Sequence, residues 1–129
     1  AGLAAIEAYR SENLIARSRA LGASMYTELR ALAQRHAVIG EVRGGDGLFA
    51  VLELVRDRAT REPLAPWPQQ APALRALLAD ALAQGVSYAA RGNLLLLAPP
   101  LVIGEQDLAD ALALLDTLLA RHFPDPHPG

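Results

Sequence analysis

The chain has 129 residues, 52% of them apolar but only 5% aromatic, and a formal net charge of −2. That length supports one domain with a core built from Leu, Ala, Val and Ile, and the charge gives no sustained attraction to nucleic acid or to an anionic membrane surface. Cysteine is absent, which excludes disulfides, thiol nucleophiles and cysteine metal sites, and all 12 residues counted as Lys+Arg are arginines, so no side-chain primary amine is present for Schiff-base chemistry.

Residues 1–10 read as the end of one helix, after which Ser11 and Glu12 offer an N-cap and an acidic first turn for a second. In that second helix Leu14, Leu21, Met25, Leu29 and Leu32 keep helical spacing. Past His36 the pattern shifts to β-type runs at 38–43 and 48–55, separated by the turn Gly44-Gly45-Asp46-Gly47, which predicts a hairpin. The second run places Leu48, Ala50, Leu52 and Leu54 on one face and Phe49, Val51 and Val55 on the other, a pattern expected of a strand covered on both sides.

Residues 56–72 hold four prolines and the single Trp, so they form a surface excursion long enough to be a functional loop. A helix follows from Ala73, with Gly85 as its stop, and then two strands, 86–90 and 94–98, joined across Arg91-Gly92-Asn93. Pro99 and Pro100 end the second strand and interrupt the longest apolar run, 94–103, which is well short of the roughly 20 residues needed to cross a bilayer. A last helix spans about Glu105 to Arg121, and 124–129 read as a disordered tail. The expected fold is α+β, a small and largely antiparallel sheet flanked by helices, occupying residues 1–123.

Few residues suggest chemistry on their own. The glycine-rich turn lies between two strands and lacks the helix and Lys of a phosphate loop. Asp46, Glu53 and Asp57 have no metal-ligand spacing, and His36 is placed to complement a helix C-terminus. The serines Ser11, Ser18, Ser24 and Ser87 form no plausible triad with His36, His122 or His127. Arg43 and Arg91 stand out because each follows a hydrophobic strand and precedes glycine, where a guanidinium fork suits a carboxylate, although an exposed or ion-paired arginine fits the same positions.

Glu12-Asn13-Leu14, Val42-Arg43-Gly44 with Gly47-Leu48-Phe49, Glu53-Leu54-Val55, Thr60-Arg61-Glu62-Pro63, and Gly92-Asn93 through Ala98-Pro99-Pro100-Leu101 together resemble the C-terminal third of class III aminotransferases, in that family's order and spacing. The resemblance implies a fold-type I enzyme of the pyruvate-using ω-transaminase branch. In such an enzyme a large domain of the same parent chain holds pyridoxal phosphate through a lysine, and this small domain closes over an amine or keto-acid substrate.

It also implies a cytoplasmic homodimer, and the charge balance predicts no nucleic-acid or membrane partners. This chain is then a piece of the parent, inactive alone and with no cofactor-binding residue of its own. Two departures are visible: the hairpin turn is longer than the family's Arg-Gly-x-Gly, and Leu96 stands where several branches place a substrate arginine. Arg91 is the nearest match to the ω-transaminase carboxylate arginine, about two residues out of register, with Arg43 a structural or supporting residue. The competing expectation is a non-catalytic α+β module for ligand binding or dimerisation.

Overall fold

The computed structural model describes residues 2–100 and 103–124. Residues 3–21 contain neither glycine nor proline, and α1 (Gly2–Arg35) runs unbroken through Ser11. The two helices expected on either side of Ser11 are therefore one. An N-cap is worth only about 1 kcal/mol, and a serine inside a run of good helix formers does not interrupt the ladder. Ser18, Leu21, Met25, Leu29 and Leu32 form its buried stripe, spaced three and four apart. At its C-terminus Arg58 donates to the carbonyls of Ala33 (2.6 Å) and His36 (3.0 Å), satisfying acceptors that the helix end leaves open, and to that of Ile39 (2.9 Å) just beyond.

The predicted hairpin forms from β1 (Ile39–Gly45) and β2 (Gly47–Asp57). It docks on α1 at very short range. Ser18 Oγ accepts from the Leu48 amide at 3.2 Å, and a Cβ on Gly22 would lie 2.0 Å from the Gly47 carbonyl oxygen. Within the proline-rich excursion a two-residue strand, β3 (Glu62–Pro63), pairs with the far end of β2 through Val55↔Pro63. It was hidden by the surrounding turn chemistry.

Helix α2 (Pro72–Ala83) begins on a proline, whose fixed φ suits a first helical position. Strand β4 (Ala89–Arg91) starts three residues later than expected and pairs with β5 (Leu94–Leu97). The sheet order is β1-β2-β5-β4, antiparallel throughout. Helix α3 (Glu105–His122) carries Glu105 and Asp107 in its first turn and Arg121 and His122 in its last, matching the helix dipole. Of the expected tail, Pro124 is exposed and the remainder lies outside the described residues.

Leu48, Ala50, Leu52 and Leu54 of β2 and Leu95 and Leu97 of β5 are buried against the helices in one core. The opposite face of β2 is not covered as expected: Phe49 remains 51% exposed, while Val55 is buried after a register shift in the pairing with β1. One face of the sheet therefore carries the core, and the other is open.

Candidate substrate-binding face

Residues directly opposite in an antiparallel sheet share a face. The registers Glu41↔Glu53, Glu53↔Leu94 and Arg91↔Leu94 place Glu41, Glu53, Leu94 and Arg91 in one line across the open face. The adjacent line is Arg43, Val51, Leu96 and Ala89. Both arginines singled out in the sequence thus lie on this face, on the two edge strands, which at a spacing of about 4.8 Å per strand are about 14 Å apart.

Their surroundings differ. Arg43 donates to Glu53 and, at 3.1 Å, to Glu41, while Arg61 lies 3.7 Å from the same Glu41 carboxylate. Its charge is compensated by a fixed network. The Arg91 residue is exposed, and its side chain makes no hydrogen bond or ion pair among the described residues. A guanidinium beside the half-buried Leu94 and Leu96 is suited to an anionic group carried on an apolar body.

The turn after Arg91 is held from the 62–68 segment. The Asn93 amide is buried and pairs with both backbone groups of Ala65, accepting from its N–H at 2.9 Å and donating to its carbonyl at 2.8 Å. Asn93 also accepts from the Leu54 amide at 2.9 Å through its own carbonyl. Gly92 has φ +58 and is buried beneath Trp67, such that a Cβ there would lie 2.4 Å from the indole ring. Trp67 as a whole stays 61% exposed. These contacts have no local signature in the sequence beyond the Gly92-Asn93 pair and the lone Trp67.

Other polar clusters are structural. His36 Nε2 lies 2.5 Å from Asp116, and Arg35 donates to the same carboxylate at 3.3 Å, tying the end of α1 to α3. Asp80 on α2 faces His122 at 2.9 Å and Arg121 at 2.8 Å, and these hydrogen bonds, with one from Gln84, hold its carboxyl at about 2. Burial pushes the Tyr88 hydroxyl up to about 12, so it stays neutral and donates to the Ala111 carbonyl at 2.7 Å. The Asp57 carboxylate accepts from the Ala59 and Thr60 amides in a turn. A groove of about 690 Å³ between α1 and α3 contains one arginine, Arg35, already engaged by Asp116. Among the described residues no three His, Asp or Glu side chains are grouped to hold a metal ion, and no helix is long and apolar enough to cross a membrane.

The profile for aminotransferase class-III matches residues 1–119. The chain belongs to the class III aminotransferases. It is 38% identical over 128 residues to the taurine–pyruvate aminotransferase of Rhodobacter capsulatus, a match covering 94% of this chain and 27% of that protein. The chain thus spans about a quarter of the length of the curated relatives it matches.

Among solved structures, a PLP-bound amine transaminase from an uncultivated Pseudomonas species superposes with TM-score 0.78 at 34% identity, covering 92% of this chain and 26% of that one. The taurine:2-oxoglutarate aminotransferase of Bifidobacterium kashiwanohense, in complex with PLP and glutamate, gives TM-score 0.80 at 28% identity, covering 93% and 27%. The resemblance read from the motifs of this class III chain and its expected α+β fold are both confirmed.

Proposed function

We propose that this chain is the substrate-closing small domain of a pyridoxal-phosphate-dependent aminotransferase that moves an amino group from an amine or amino acid to a keto acid such as pyruvate. The supporting relatives are named for amino transfer to pyruvate. In this reading the parent chain also contains the large domain, pairs as a homodimer and works in the cytoplasm.

Bound cofactor supplies the electron sink for the transfer. The donor set present here fits a substrate carboxylate rather than the cofactor's aldehyde, because no lysine is available to condense with it. The lysine and the phosphate contacts accordingly belong to the large domain. What this chain contributes is Arg91, which binds and orients the substrate carboxylate, and an apolar strip that excludes water beside it. Arg43 keeps the opposite edge of the sheet in place through Glu41 and Glu53.

The observation carrying this reading is an exposed arginine, without an ion-pair partner among the described residues, on the open face of the sheet. In the full-length enzyme Arg91→Ala is expected to lower kcat/KM for pyruvate by about 1.5–3 kcal/mol in transition-state terms and to spare an amine lacking a carboxylate. Arg91→Lys should recover only part, since an ammonium cannot reproduce the planar fork. Equal losses for both substrates would assign Arg91 to the fold instead.

A further inference from the structure

Arg91 has no ion-pair partner among the described residues, so the direction of its guanidinium is not set by charge. What sets it is the backbone it projects from. That backbone is held on both sides of the turn: Gly92 is buried under the Trp67 ring, and Asn93 is locked to Ala65 by two hydrogen bonds. Ala65 and Trp67 belong to one short stretch, closed on itself by a hydrogen bond from the Gln69 amide to the Pro66 carbonyl at 2.8 Å. Trp67 buries little of itself by sitting there, yet it covers the residue next to Arg91. A large aromatic left mostly in solvent contributes less to the core than it does to the object it covers.

We infer that Trp67 is a positioning residue for Arg91: its ring, seated on Gly92 and anchored through Asn93, restricts the turn so that the guanidinium is presented to the substrate carboxylate in advance. This rests on the reading of Arg91 as the carboxylate-binding residue. An arginine side chain gives up rotamer freedom when fixed, and a turn already ordered by Trp67 reduces what remains to be lost on binding. Gly92 is required for a second reason besides its positive φ, because any side chain there would push the ring away.

The test uses the full-length enzyme and propionate, a carboxylate with neither an amino nor a keto group, titrated by calorimetry. Trp67→Ala is expected to raise the Kd for propionate about three- to tenfold, the lower range for residues coupled by contact. Gly92→Ala, which displaces the ring without removing it, should do the same, and Trp67→Phe should keep most of the affinity. The Trp67→Ala/Arg91→Ala double variant should bind no more weakly than Arg91→Ala alone. If Arg91→Ala weakens propionate while Trp67→Ala does not, the inference is overturned and the reading of Arg91 stands. If Arg91→Ala leaves propionate binding unchanged, that reading fails first and the inference with it. Asn93→Ser provides a milder loss of the same anchor and should shift Kd in the same direction as Trp67→Ala.

Discussion

Gly22 shows how a single missing side chain can decide where an element sits. Alanine in a helix interior is ordinarily favoured over glycine by about 1 kcal/mol, but a methyl at this position would meet the Gly47 backbone carbonyl at 2.0 Å. The obstacle is backbone, so the hairpin itself would have to move. Gly22→Ala is expected to destabilise the protein by about 1–3 kcal/mol, the usual cost of overpacking, measured by urea unfolding; a gain in stability would show that the turn gives way freely. The two arginines teach a related lesson. Arg43 and Arg91 look alike in sequence, each after a strand and before glycine, and both were legible as candidates. What separates them is Glu53, ten residues further along and facing Arg43 from the neighbouring strand. No local pattern contains that fact. The same holds for Arg58, whose three acceptors lie between 19 and 25 residues earlier in the chain.

At the scale of elements, α3 is fastened at two places by histidine–aspartate contacts, His36–Asp116 toward α1 and Asp80–His122 toward α2. The Asp80 carboxyl lies at about 2 in the folded protein against an ordinary value of 3.8. A depressed carboxyl stabilises the fold at pH above its unfolded value, and that contribution is lost as the pH falls through the folded one. Stability should therefore drop between about pH 4 and pH 2, and Asp116, also held below the ordinary range by His36, adds to the fall. Asp80→Asn should be less stable near neutrality and show a shallower decline across that window in acid titrations followed by circular dichroism. An unchanged slope would mean that other carboxylates carry the acid sensitivity. The hairpin, α2 and α3 were readable because periodicity, prolines and glycines mark their limits. Ser11 misled because a capping signal is only local, and β3 escaped because a two-residue strand has no periodicity to detect.

For the molecule as a whole, the lysine-free composition sets a clear limit on chemistry. The 129-residue chain mixed with pyridoxal phosphate is expected to give no Schiff-base absorbance once its α-amino group is blocked. A stoichiometric visible band surviving that block would overturn the assignment of the cofactor to the large domain. The arrangement with helices on one face of the sheet was legible as a fold class, whereas the open face was not, because hydrophobic residues on both sides of β2 suggested a strand covered on both sides. Helix α1 has a mechanical consequence of its own. Its 34 residues extend for about 51 Å at 1.5 Å per residue, and its tightest seat is the one formed by Ser18 and Gly22 on the hairpin. With that seat as fulcrum, roughly 30 Å of rod lies on the Gly2 side. A tilt of about 5° there moves the far end by about 2.6 Å, and because Met25, Leu29 and Leu32 on the other arm are buried in the core, α1 has the proportions of a lever that couples a small shift of the core to travel on the scale of a chemical bond and more.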